Sequence, residues 1–162
     1  MRVAIIMGST SDVSKVEPVI DVLMSYGVQV DVRCLSAHRA HEGLSTFIQE
    51  CNGNGTEVII AAAGMAAALP GVVASQTVLP VIGIPLSGAV LDGLDALMSI
   101  VQMPSGIPVA TVAINGAKNA AYLALQIIGV KHSSIKEKLL AHRQKMIDEA
   151  RETNEMIINK YK

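Results

Sequence analysis

Five short runs rich in β-branched and apolar residues, at positions 3–7, 28–35, 57–62, 81–85 and 108–114, recur along the chain. Segments of helical periodicity fill the intervals, at 13–26, 42–51, 66–78, 91–103 and 117–128. Strands that are hydrophobic nearly throughout, rather than at every second position, belong to a parallel sheet covered on both faces. Right-handed crossovers between them build a three-layer, doubly wound α/β fold around a five-stranded parallel sheet. Gly27, Gly53 and Gly55 stand where helices should stop.

No linker, repeat or low-complexity stretch interrupts this pattern, and 162 residues suit one domain spanning 1–162. The final stretch, 133–162, reads as a C-terminal helical extension. It is dense in charge, with Ile135, Leu139, Met146, Ala150 and Ile157 on one helical face. At 1.5 Å per residue it would be about 45 Å long. It either packs on its own domain or reaches across a subunit boundary. The hydrophobic fraction of 51% with only 17% charged residues favours buried surface beyond one chain, hence a homo-oligomer.

Several function classes drop out. The uncharged stretch 58–90 is broken by Gly64, Pro70, Gly71, Pro80, Gly83 and Pro85, which argues against a membrane span. A net charge of −1 offers no electrostatic case for nucleic acid or an anionic membrane. The first apolar run is a strand and not a signal peptide. Cys34, placed in a buried strand, and Cys51, at a helix end, lack metal-ligand spacing, so they read as reduced thiols of a cytoplasmic protein. His41, His132 and His142 fall on predicted helices without partners at ligand spacing, so no metal is expected.

Two polar knots carry the chemistry. Gly8-Ser9-Thr10-Ser11-Asp12 follows the first strand, and Ser36-Ala37-His38-Arg39 follows the second. In an open parallel sheet this carboxyl-end rim is where ligands bind, and adjacent strands would bring both knots to one small anionic ligand. Gly8 lets backbone approach a ligand, while the hydroxyls of Ser9 and Ser11 and the helix-start amides suit a phosphate. Asp12 suits a sugar hydroxyl better than a phosphate. Ser9 and Asp12 would also serve as plain helix caps. Neither a Walker lysine nor a Gly-x-Gly-x-x-Gly pattern is present. Arg39 offers a fixed fork for an anion, and His38 can carry protons near neutrality. After the third strand, the small residues from Ala61 to Gly71, Ala63, Gly64 and Ala66 among them, form either a wall of backbone amides or a close helix–sheet contact. The segments 87–93 and 99–104 could supply further rim loops.

At these segments the sequence resembles the class I N5-carboxyaminoimidazole ribonucleotide mutases of de novo purine biosynthesis. The match runs through residues 7–12, Ser36–Arg39, 63–71, 99–104 and 106–111, with Asn119-Ala120-Ala121 beyond, and covers essentially the whole chain. The resemblance implies a flavodoxin-like fold, a homo-octamer with shared active sites, and a reaction without metal or organic cofactor. That reaction is an isomerisation. A carboxyl group leaves the exocyclic nitrogen of a phosphorylated aminoimidazole ribonucleotide as carbon dioxide, and the ring carbon then attacks it. By matching motif, Ser9 and Arg39 would contact the phosphate, Asp12 the ribose, and His38 would handle protons. Ser36, Ala37, Gly64, Ala66 and Leu69 would shape a pocket that retains carbon dioxide.

Three departures stand out. The family has Gly where this chain has Met65, His where it has Ala68, and Thr-Pro-Asp where it reads Ala40-His41-Glu42. The missing histidine bears on rate more than on substrate. The class II carboxylases, which take free carbon dioxide, carry Lys at the place of Arg39 and Arg-Ser-Asn at that of Met65-Ala66-Ala67, so the resemblance favours class I. A non-catalytic flavodoxin-like binding module is the remaining alternative. Flavin would want aromatic surface at the rim, whereas Tyr26, Phe47, Tyr122 and Tyr161 all fall on predicted helices.

Overall fold

The computed structural model describes residues 1–88 and 91–162. Its elements follow in the order β1 (Arg2–Met7), a short 3-10 turn (Thr10–Asp12), α1 (Val13–Ser25), β2 (Gln29–Cys34), α2 (His41–Gly53), β3 (Val58–Gly64) and α3 (Leu69–Ala74). Then come β4 (Val81–Leu86), a second 3-10 turn (Leu91–Gly93), α4 (Leu94–Val101), β5 (Ala110–Thr111), α5 (Ala117–Gly129) and α6 (Ser133–Lys160). All strand pairs are parallel, in the order β2-β1-β3-β4-β5. The expected three-layer α/β fold is thus the observed one.

Alternation along the strands divides the core. Val3, Ile5 and Met7 of β1 join α1 and α5 on one face, through Val16, Val19, Leu23, Ala120, Ala124 and Ile128. Ala4 and Ile6 join α2, α3 and α4 on the other, through Leu44, Ile48, Val73 and Ile100. Close packing explains Gly83 in the middle of β4. A Cβ there would lie 2.5 Å from Ile100 Cγ2 and 2.9 Å from Val109 Cγ1.

Strand order sets the site. From β1 the chain moves outward to β2, then crosses back to β3 on β1's other side. The helices after β1 and β3 therefore leave on opposite faces and open a crevice at the carboxyl ends of these strands.

Some expectations need correcting. The run at 108–114 yields a two-residue strand at the sheet edge, paired as Ile82 with Ala110 and Gly83 with Thr111. The helix expected at 66–78 begins only at Leu69 and ends at Ala74, because 65–68 form rim and Ser75 already closes the helix on the Gly71 and Val73 carbonyls. The one expected at 91–103 begins at Leu94, since Leu91, Asp92 and Gly93 hold φ of 55°, 47° and 92°. Gly27 and Gly55 do take the left-handed φ that stops a helix, while Gly53 is the last residue of α2 itself. Cys34 is exposed, not buried, because it ends β2, which lies at the edge of the sheet. In α6, Ile135 alone is buried, Leu139 and His142 are half-buried, and every residue beyond 142 is exposed.

Candidate active site

The turn after β1 is built by hydroxyls that bond each other. Ser9 caps it, its Oγ accepting from the Ser11 amide (3.3 Å) and from Ser11 Oγ (2.8 Å). Asp12 precedes α1 without a capping bond of its own, and its Oδ1 lies 3.5 Å from Ser11 Oγ. The cap reading therefore holds for Ser9 and fails for Asp12, which leaves that carboxylate free for a ligand. After β2, the Ser36 carbonyl accepts from the amides of Arg39 (3.3 Å) and Ala40 (2.9 Å), closing a turn that presents Ala37, His38 and Arg39. Arg39 then spans the two knots. Its Nε is 3.5 Å from Ser36 Oγ and its Nη2 is 3.5 Å from the Gly8 carbonyl. Contacts this long are weak, so they orient the guanidinium loosely and leave its donors available.

The third wall comes from the turn after β3. Gly64 passes close to β4, and a Cβ on it would meet the Leu86 carbonyl at 3.3 Å. Met65 follows with φ of 57°, in the region that costs a non-glycine residue about 1 kcal/mol or more. This accounts for the family's glycine at that position. Ala68 begins α3 half-buried, offers no side-chain cap and accepts from Val72 N through its carbonyl at 3.0 Å.

These segments meet. Gly8, Ser9, Ser11, Asp12, Ser36, Ala37, His38, Arg39, Ala63, Gly64, Ala66 and Leu69, every residue expected at the site, line one cleft of about 620 Å³. That volume suits a small molecule. Met65, Ala67 and Ala68 complete its floor. The segment 99–104 is absent from this lining. In the loop expected at 87–93, Ala89 and Val90 lie outside the described residues.

Ser87 and Gly88 of the rim loop expected at 87–93 do reach the cleft, whereas Leu86, Lys15 and Asn115 were not anticipated. Leu86, Ser87, Gly88 and Lys15 also line the cleft. Lys15 Nζ donates to the Ser87 carbonyl at 2.6 Å, and Asn115 brackets Ser87 from the other side. A signal existed for Lys15, which lies three residues after Asp12 and so on the same helical face. Nothing local marks Asn115, which meets Ser87 across 28 residues of chain.

Among the described residues, no group of three or more His, Cys, Asp or Glu side chains gathers as a metal site would, and no helix is long and apolar enough to cross a membrane.

Comparison with known proteins places the chain among relatives of one family. A family profile described as AIR carboxylase matches residues 2–149. The N5-carboxyaminoimidazole ribonucleotide mutase of Pyrococcus horikoshii is 50% identical over 163 residues, covering 98% of this chain and 92% of that one. The enzyme of the same name from Methanocaldococcus jannaschii is 46% identical over 160 residues, with 99% of each chain covered. Among solved structures, Treponema denticola PurE superimposes with a TM-score of 0.81 at 30% identity, over 93% of this chain and 97% of that one.

Proposed function

The chain belongs to the AIR carboxylase family, and on that footing we propose that it is an N5-carboxyaminoimidazole ribonucleotide mutase. It would convert the N-carboxylated nucleotide to 4-carboxy-5-aminoimidazole ribonucleotide. The observation that carries this reading is the convergence of His38, Arg39, Ser9 and Asp12 on one cleft at the sheet's switch point.

Arg39 and the Ser9 turn hold the substrate phosphate, through guanidinium, hydroxyl and amide donors. Asp12 accepts from a ribose hydroxyl. The Ala63–Leu69 wall, with Ser36 and Ala37, confines the ring. His38 then donates a proton to the exocyclic nitrogen as its bond to the carboxyl carbon breaks and carbon dioxide departs. The electron-rich ring carbon attacks that carbon dioxide, and the ring proton displaced by the new bond returns to His38. One proton leaves the imidazole and one comes back, so a single histidine closes the cycle. Orientation and proton transfer are the protein's contributions, since the ring is its own nucleophile.

His38, Arg39, Met65, Ala66 and Gly88 are exposed in one chain, whereas retention of carbon dioxide needs a closed pocket. A second subunit supplies the cover in the assembly we propose, a homo-octamer of single-domain chains with residues 133–162 as the C-terminal extension. The exposed apolar residues of α6, Met146, Ile147, Met156, Ile157 and Ile158, support that extension as a subunit contact. Deleting 133–162 should lower the assembly size in sedimentation, and an unchanged octamer would show that α6 serves its own domain. We place the enzyme in the cytoplasm, in keeping with free thiols at Cys34 and Cys51.

The function is tested by adding the N-carboxylated nucleotide to purified protein and following the ring-carboxylated product, with and without bicarbonate. Product formed from that nucleotide without bicarbonate supports the mutase. Product formed only from aminoimidazole ribonucleotide plus bicarbonate would instead assign a carboxylase.

A further inference from the structure

Lys15 has no part in the scheme above, yet its placement is unusual in three ways. It sits in the first turn of α1, where the helix dipole disfavours a cation. It is half-buried, yet takes part in no ion pair among the described residues. Its ammonium is also held at a fixed point. Nζ donates to the Ser87 carbonyl at 2.6 Å, with Ser87 Oγ at 3.5 Å. Ser87 is itself clamped by Asn115, whose Oδ1 accepts from the Ser87 amide at 3.0 Å and whose Nδ2 donates to Ser87 Oγ at 2.9 Å. A half-buried ammonium with no anionic partner among the described residues, placed where the helix dipole disfavours it, points to an anionic ligand.

The cleft has two strong cations, anchored on opposite sides. Arg39 is held by Ser36 and Gly8 at the exits of β2 and β1, while Lys15 is held by Ser87 at the exit of β4. Three strand spacings separate the β2 and β4 exits, roughly 14 Å. One carboxylate, Asp12, lines the same cleft. Such an arrangement fits a ligand with an anion at each end, and a carboxylated nucleotide is one: phosphate at one end, carboxylate at the other.

We propose that Lys15 binds the carboxylate of the nucleotide, so that this chain discriminates carboxylated from uncarboxylated aminoimidazole ribonucleotide at the β4 side of the cleft. The assignment rests on the functional reading above and deepens it. Two of the ammonium's donors face Ser87, and the third remains for the carboxylate. The carboxylate loses its charge as carbon dioxide forms, so a contact made chiefly to the ground state weakens towards the transition state, and its loss raises KM without lowering kcat.

The test is isothermal titration of parental protein, Lys15→Met, Lys15→Gln and Lys15→Arg with two probes, 4-carboxy-5-aminoimidazole ribonucleotide and the same nucleotide lacking the carboxyl. Lys15→Gln keeps a donor for the Ser87 carbonyl while removing the charge, which separates the clamp from the cation. Lys15→Met and Lys15→Gln should weaken the carboxylated nucleotide on the order of 10- to 100-fold, the range of one charge-assisted hydrogen bond. Binding of the uncarboxylated one should stay near parental, and Lys15→Arg should keep most of the preference. Equal weakening of both probes would mean that Lys15 only fastens Ser87, and no weakening of either would remove it from the site. Parental protein that binds neither nucleotide would overturn the functional reading itself, and the role of Lys15 with it.

Discussion

The two edges of the sheet both carry charge, but they differ in what their polar groups have left to offer. At the amino edge the charged groups are paired with one another, although Glu57 Oε2 is buried without a hydrogen-bond partner among the described residues. Arg2 pairs with Asp31 at 3.3 Å, while His132 and Lys131 both reach Glu57 Oε1, at 2.7 and 3.6 Å. The Glu57 amide also donates to the Arg2 carbonyl at 2.9 Å. Burial pushes the Glu57 carboxyl up, but the hydrogen bond and charge of His132, with Lys131, outweigh it and hold the group below its ordinary value. At the carboxyl rim, Arg39 rests on two bonds of 3.5 Å, and Asp12 meets only a hydroxyl at 3.5 Å. His38 is exposed and takes part in no side-chain hydrogen bond among the described residues. Paired charges fasten the end of α5 and the start of α6 to the sheet, while those at the rim have few partners of their own.

Exchanging side chains at each edge sharpens this contrast, and the largest effect belongs to the rim. His38→Asn should lower kcat by about 10² to 10⁴, the usual worth of a general acid–base group, with substrate binding and melting temperature nearly unchanged. A variant with near-parental turnover would make His38 structural. At the amino edge the pattern reverses. Glu57→Gln should cost about 1–2 kcal/mol of stability, a few degrees in Tm, without altering kcat. Its pH dependence has a definite sign. The folded Glu57 pKa is depressed, so its contribution is fully present above the unfolded value, near 4.3, and is lost as pH falls through the folded one. Denaturant curves of parent and variant should therefore converge in acid. Curves that stay parallel down to that range would deny Glu57 its role.

Two smaller effects lie in the β3 wall. Ala68→His restores the family's residue at the start of α3 and should raise kcat roughly three- to tenfold with little change in KM, since the proton path through His38 already exists. Parental protein as fast as this variant would show that this branch needs no second imidazole. Met65→Gly should scarcely move stability. Relief of the left-handed backbone, about 1 kcal/mol, is offset by the greater freedom of glycine in the unfolded chain, about 0.4–1 kcal/mol. A melting temperature that shifts by many degrees would mean that Met65 packs against something in the assembly.

Within the site, the β1 and β2 walls were legible because their chemistry is contiguous. Ser9, Asp12, His38 and Arg39 each follow a strand within a few residues, and strand ends define the rim. Of the β4 wall only the loop at 87–93 was marked, because the contacts that fix it are long-range. Lys15 meets Ser87 across 72 residues, and Ser87 meets Asn115 across 28. Cys34 was misplaced for a related reason. Its strand reads as apolar enough for the interior, and only the strand order puts β2 at an edge.

The amino-acid sequence by itself determined the alternation of strand and helix, the parallel sheet and the helix C-caps at Gly27 and Gly55. Each of these depends on side-chain periodicity or on backbone freedom within a few residues. Only the tertiary structure decided the order of the strands, the shortness of α3, α4 and β5, and the gathering of a 620 Å³ cleft from four strand exits. It also decided that Ile135 finds cover while Met146 and Ile157 do not. An apolar stripe shows that a helix must bury a face, but what it is buried against depends on where the rest of the core ends.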